Sequence, residues 1–310
     1  MFKYLKEYRW EDMRQMLRNN RAEQRHSDLR MDGKRCVVTG CTSGVGWEAV
    51  KTLAGHGARI VMINRNRRKS EDACETLRRN HNADCSYLIA DFANLAQVRE
   101  AADRLAQGDA PIDLLVNNVG MHSTKLTRTK DGLETVFCVN HLGAFALTWI
   151  LLDTMRRSAP SRIIQVNSQG HRFGGLDIGD LHWHKRHYTG LRGYGAAKTA
   201  QLLTMWELAE QLQGSGVTIN AMHPGAVKSN IGSNNGALYR WYKDHILSRS
   251  LGDPSISGQA IHYLATAPEL EAISGRYFNL THVEKPAPHA LDREIGKIVW
   301  EESLRLAGLA

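Results

Sequence analysis

From residue 34 onward the apolar positions follow two alternating rhythms. Short β-branched runs fall at Arg35–Thr39, Arg59–Ile63, Cys85–Ala90, Ile112–Asn117, Arg162–Asn167, Thr218–Met222 and Arg276–Phe278. Between them lie amphipathic stretches such as Asn94–Gln107, Leu133–Arg157 and Tyr194–Leu212, with apolar residues three and four apart. Continuous apolar strands alternating with helices predict a parallel sheet covered on both faces. We therefore expect a single α/β domain over residues 31–310, doubly wound, with about seven strands. Its ligands should bind beyond the carboxyl ends of the strands. Residues 1–30 stand outside this pattern as a charged helical extension. Phe2, Leu5, Tyr8, Met13, Met16 and Leu17 form a rough apolar stripe there, which could pack on the domain, join a dimer or lie on a membrane surface.

Composition narrows the function. With 42% hydrophobic and 23% charged residues, a disordered or fibrous chain is excluded. The longest apolar stretch, Gly143 to Leu152, is about ten residues, where a membrane-spanning helix needs about 20. The first 30 residues carry 13 charges and no apolar core. We expect neither a secretory signal nor a spanning anchor, and hence a cytoplasmic protein, with peripheral membrane contact through residues 1–30 as an open alternative. Cys36, Cys41, Cys74, Cys85 and Cys138 show no CxxC spacing, which argues for a reducing compartment without a disulfide framework or zinc ribbon. His182-Trp183-His184 with His187 lacks a cysteine or carboxylate at ligand spacing, so no metal is expected. The net charge of +8 includes one dense run, Arg65-Asn66-Arg67-Arg68-Lys69. No aromatic-interleaved motif accompanies it, which argues against nucleic acid.

The run gains meaning from what precedes it. The first strand enters Thr39-Gly40-Cys41-Thr42-Ser43-Gly44-Val45-Gly46, and a helix follows. Glycines there let the backbone turn sharply and approach a pyrophosphate, while the helix start offers free N–H groups. A site for NAD would place an acid at the end of the second strand. Here Met62-Ile63-Asn64-Arg65 ends it, so Arg65 is expected to grip the 2′-phosphate of NADP(H), assisted by Asn64. Asp91, with Phe92 beside it, is placed to hold the adenine.

Tyr194-Gly195-Ala196-Ala197-Lys198 puts a phenol and an ammonium one helical turn apart. The charge of Lys198 should lower the Tyr194 pKa toward neutrality and fit it for proton transfer. Ser168 ends the fifth strand and can bind a substrate oxygen. Asn117-Asn118-Val119-Gly120 follows the fourth strand, and Asn140 falls inside the next helix, where it suggests a water ligand. His223-Pro224-Gly225 should bring backbone toward a nicotinamide.

In this order these elements resemble the short-chain dehydrogenase/reductase family over about residues 33–310. Within it the chain looks most like the retinol dehydrogenase-like group, through Asn167-Ser168-Gln169-Gly170-His171, His223-Pro224-Gly225-Ala226-Val227, Gly275-Arg276-Tyr277-Phe278 and Val299-Trp300-Glu301-Glu302-Ser303. The resemblance implies a Rossmann-type fold and a catalytic tetrad of Asn140, Ser168, Tyr194 and Lys198. It implies cofactor contacts from Gly40, Thr42, Ser43, Gly44, Val45, Gly46, Asn64, Arg65, Asp91, Phe92, Asn117, Val119, Gly120, Pro224, Gly225 and Val227, with Tyr194 and Lys198 also touching the cofactor. It further suggests a dimer or tetramer formed through Leu133–Arg157 and Tyr194–Leu212. Val119 replaces the family's usual Ala, and Asn167 precedes the catalytic serine where many members have Ser. Residues 229–250, with Leu238, Trp241, Tyr242 and Ile246, are expected to form an apolar lid, which favours a bulky apolar carbonyl compound or its alcohol. The expected activity is NADP(H)-dependent interconversion of ketone or aldehyde and alcohol. Reduction of a C=C bond and cofactor sensing without catalysis are the alternatives.

Overall fold

The computed structural model describes residues 4, 7–108, 110–227 and 252–310; the expected lid at 229–250 lies outside them. Seven parallel strands form the sheet: β1 (Arg35–Thr39), β2 (Arg59–Asn64), β3 (Cys85–Ile89), β4 (Leu114–Asn117), β5 (Ser161–Val166), β6 (Val217–His223) and β7 (Tyr277–Asn279). Their spatial order is β3-β2-β1-β4-β5-β6-β7, and a two-residue antiparallel strand, β8 (His282–Val283), closes the far edge. That eighth strand is too short to leave a periodic signal. The order reverses between β1 and β4, so the crevice for a ligand opens above their carboxyl ends.

The helices are α1 (Trp10–Asn19), α2 (Gly44–Gly55), α3 (Arg67–His81), α4 (Leu95–Ala106), α5 (Thr135–Arg157), α6 (Gly190–Gln211), α7 (Ser255–Thr266) and α8 (Arg293–Ala307). Strand residues are apolar on both faces because helices cover both. One core gathers Val38, Leu53, Met62, Ile164 and Phe278 with α2 and α7. The other gathers Val37, Leu115, Leu151 and Ile219 with α4, α5 and α6. Helix α5 is long and apolar enough to cross a membrane, yet it is mostly buried within this core.

Helix α8 lies over α5 and α6, where Trp300 meets Phe145 and Trp149 edge to face at 5.0 and 5.4 Å between centroids. The chain's own last helix thus packs on part of the two helices through which association is expected. The extension is fastened to the opposite edge of the sheet. Asn19 donates to the Val283 carbonyl at 3.2 Å, Gln24 accepts from Thr281, and the Arg25 N–H donates to Thr281 Oγ1 at 3.0 Å.

Candidate active site

Strand β1 feeds a turn in which Gly40 and Gly44 have φ of +64° and +58°. Both lie in the left-handed region that favours glycine. A Cβ on Gly40 would lie 2.8 Å from Val119 Cγ2, and one on Gly46 would run into the Asn118 side chain and the Gly40 carbonyl. The loop, the start of α2 and the end of β4 therefore touch backbone to backbone. Thr42, Ser43 and Gly44 stay half-exposed on the rim, while Val45 is buried. Helix α2 starts without a side-chain cap and without an acid in its first turn. By contrast, Asn66, Asn94, Thr189 and Asp292 cap α3, α4, α6 and α8. The uncapped N–H groups and helix dipole suit a phosphate, so the residues present fit a dinucleotide.

Two asparagines hold this loop. Asn64 Oδ1 accepts from the Cys41 N–H at 2.8 Å, and its Nδ2 donates to Ser70 Oγ at 3.2 Å. Asn64 thus braces the loop against α3 through both ends of its amide, with one Nδ2–H left over. Asn118 Nδ2 donates to the carbonyls of Thr39 and Gly40 at 3.0 and 2.8 Å, and Thr39 Oγ1 accepts from the N–H groups of Asn118 and Val119. The Asn117 side chain, by contrast, donates to Thr148 Oγ1 at 2.7 Å and braces β4 against α5, so it is the neighbouring Asn118 that holds the loop. Strand alternation sends the two to opposite faces. The Phe92 ring packs on Gly143 in the core, which leaves its main chain as the part that could meet a cofactor. Asp91 is half-exposed and uses Oδ1 to accept from the Ala93 N–H at 3.0 Å.

Arg65 follows β2 directly and is exposed. Arg67, Arg68 and Lys69 then fill the first turn of α3, which contains no acid. Cations there oppose the helix dipole, and an anion held between them would relieve the repulsion. Past β6, Pro224 and Gly225 (φ +84°) turn the chain, and Val227 bridges to Gly252.

Tyr194 and Lys198 lie on one face of α6, both buried. The Ser168 hydroxyl accepts from the Gly170 N–H at 3.0 Å, and both Ser168 Oγ and the Tyr194 ring border the space beside Gly170. Burial pushes the Tyr194 pKa above its ordinary value, and the Ser168 contact offsets this in part. The expected depression by Lys198 is not what the geometry gives. Lys198 Nζ instead donates to the Val166 carbonyl at 2.7 Å and to Gln201 Oε1 at 3.3 Å, and burial lowers its pKa to about 7. Asn140 sits in a π-helical turn, Cys138–Leu142, within α5. Its carboxamide accepts from Met121 N–H at 2.7 Å and donates to Met121 O at 2.9 Å, so the side chain locks the segment after β4 rather than holding water. Gly120 lies against it.

Several residues enter the site through tertiary contacts alone. A Cβ on Gly170 would strike the Tyr194 ring. His122 stacks edge-on to Tyr194 with centroids 5.9 Å apart. His171 accepts from Ala287 N–H through Nε2, leaving Nδ1–H to donate to the Ser168 carbonyl at 2.7 Å. The buried Glu284 carboxylate pairs with Arg172 at 3.0 Å and accepts from Gln169 Nε2 and Asn279 Nδ2. Of these, Gln169, Gly170 and His171 lie within the motif that follows Ser168 in the sequence, whereas His122, Arg172, Asn279 and Glu284 carry no local signal.

The comparisons bear on family and fold. The family model for short chain dehydrogenase matches residues 34–238, and the chain belongs to that family. Human retinol dehydrogenase 13 is 38% identical over 294 residues, covering 91% of this chain and 87% of that protein. Human retinol dehydrogenase 14 is 35% identical over 295 residues, covering 90% and 88%. Among solved structures, an uncharacterised protein of Mycobacterium paratuberculosis superposes with a TM-score of 0.73 at 26% identity, covering 90% of this chain and 95% of that one. A short chain dehydrogenase of Burkholderia cenocepacia in complex with NADP gives 0.63 at 22%, covering 83% and 99%, which speaks to the fold. The protein is a retinol dehydrogenase-like oxidoreductase of this family.

Proposed function

We propose that the chain is an NADP(H)-dependent enzyme interconverting a bulky apolar ketone or aldehyde and its alcohol. The observation that carries the reading is the Tyr194 phenol, buried one helical turn from Lys198 and, with Ser168 at the carboxyl end of β5, bordering the same space beside Gly170. Gly40, Thr42, Ser43, Gly44, Val45 and Gly46 receive the pyrophosphate, Arg65 the 2′-phosphate and Asp91 the adenine. Val119, Gly120 and the turn Pro224, Gly225 and Val227 approach the nicotinamide end. When bound, the cofactor supplies or accepts hydride at C4 of its nicotinamide. Ser168 and Tyr194 grip the carbonyl oxygen, and Tyr194 Oη delivers the proton that the alcohol keeps. Lys198, poised near neutrality, is the proton reservoir one turn away. With its side chain engaged by Met121, Asn140 contributes the main-chain carbonyl of its π turn as the water ligand.

The test is oxidation of NADPH and NADH by the purified protein against retinal, steroid ketones and aromatic aldehydes. Turnover with NADPH on one bulky class is the expected result, and Tyr194→Phe should lower it at least a hundredfold, within the range of a lost general acid, while cofactor affinity stays within a few fold. Tight NADPH binding without turnover on any of them, or a fully active Tyr194→Phe enzyme, would overturn the reading.

A further inference from the structure

One buried carboxamide joins the end of β5 to the catalytic face of α6. Gln201 follows Lys198 by one helical turn, on the same side of the helix. Its Oε1 accepts from Lys198 Nζ at 3.3 Å and from Asn167 Nδ2 at 2.8 Å, while its Nε2 donates to Gln165 Oε1 at 3.0 Å. An ammonium can only donate, so the atom facing Lys198 is the amide oxygen and the carboxamide has one orientation. Asn167 extends the chain. Its Nδ2 also donates to the Lys198 carbonyl at 3.0 Å, and its Oδ1 accepts from the Ser168 N–H at 2.8 Å. Both side chains are buried, so neither can trade a lost partner for bulk water.

We infer that Gln201 is a positioning residue of this site: its amide oxygen holds the Lys198 side chain and, through Asn167, ties it to the main chain of Ser168. Among the described residues Lys198 Nζ has two acceptors, the Val166 carbonyl and Gln201 Oε1. The first belongs to the main chain, so Gln201 is the side chain that decides how well the buried ammonium is satisfied. The pairing also gives Asn167 a purpose. A serine hydroxyl donates once and could not make both of the bonds that Asn167 Nδ2 makes. The titratable groups on the elements packed around Lys198 are neutral near pH 7. Burial raises Tyr194 on the same helix and lowers His141 in the π turn, His171 after β5, His223 on β6 and His289 beyond β8. Arg172 is paired with Glu284, and on α8 Arg293 pairs with Glu207 and Glu210 and Lys297 with Glu294. Lys198, drawn down to about 7, is therefore the group that titrates there. The consequence for turnover rests on the proposed function, whereas the hold on Lys198 does not.

The test reads Lys198 directly. In the full chain carrying isotopically labelled lysine, the Cε signal that Lys198→Met removes follows its protonation by NMR between about pH 5.5 and 9.5. Gln201→Met keeps the length of the side chain and removes the acceptor, whereas Gln201→Glu keeps an acceptor and adds negative charge. The Lys198 midpoint should move down by about one pH unit or more in Gln201→Met and up by a similar amount in Gln201→Glu, the range of one charge-assisted hydrogen bond. A role in packing alone would leave both midpoints in place. Turnover with NADPH on a bulky carbonyl compound supplies the second readout. There kcat should fall about tenfold or more in Gln201→Met with KM within about threefold, and Gln201→Glu should recover most of the loss. Midpoints that stay put, or that move the same way in both variants, would overturn the inference, as would a kcat loss that Gln201→Glu deepens. A wild-type chain that turns over none of the carbonyl classes would overturn the proposed function instead, and the titration would still decide the role of Gln201.

Discussion

At the scale of single residues, burial decides the protonation states of the catalytic pair. Tyr194 is held above its ordinary pKa and Lys198 is drawn down to about 7, so each favours its neutral form more than a free side chain would. The close approach of Gly170 to the Tyr194 ring makes that glycine a positioning residue. Gly170→Ala should lower kcat at least tenfold by displacing the phenol, a shift on the scale of an ångström. NADPH affinity, measured by fluorescence titration, should stay within a few fold. Arg65 offers a second test. Arg65→Ala should weaken NADPH about ten- to a hundredfold, the range of one charge-assisted hydrogen bond, and spare NADH. Equal losses for the two nucleotides would remove Arg65 from the phosphate.

At the scale of elements, the helices on the α4–α5–α6 side owe their position to α8 as much as to the sheet. Trp300 is almost fully buried between Phe145 and Trp149, and His141 of the π turn hydrogen-bonds Ser303 at 2.7 Å. Trp300→Ala should cost about 3 kcal/mol of unfolding free energy, as for other buried aromatic truncations, read as a lower urea midpoint at unchanged slope. Much of this element level was legible beforehand. The seven β-branched runs and the long amphipathic stretches give real strands and helices, because both periodicities are written locally. The π turn was not legible. A mid-helix Asn signals a defect, but only the Met121 backbone, fixed by β4, shows which groups the amide satisfies.

At the scale of the whole molecule, three neutral histidines lie under the site. Burial and the Lys198 charge hold His141 at about 3, burial and Arg172 hold His223 at about 4 against Glu284, and burial with Arg172 keeps His171 well below its ordinary value. As pH falls below about 6.5, the unfolded chain takes up protons that these groups refuse in the fold, so stability is present above 6.5 and is lost toward 4 and 3. His141 and His223 should each cost about 2 kcal/mol at pH 5, with His171 adding in the same direction, and urea midpoints at pH 7.5 and 5.0 will show the drop. A flat profile would mean that the histidines are solvated. The sequence by itself determined the alternation of strands and helices, the glycine turn, the basic run after β2 and the Ser168–Tyr194–Lys198 order, since each depends on neighbours within a few residues. Only the tertiary structure decided that Asn118 and not Asn117 holds the loop, that Lys198 turns to Val166, and that α8 packs on α5 and α6. Those outcomes depend on which groups, far apart in the chain, are left to satisfy one another once the sheet has closed.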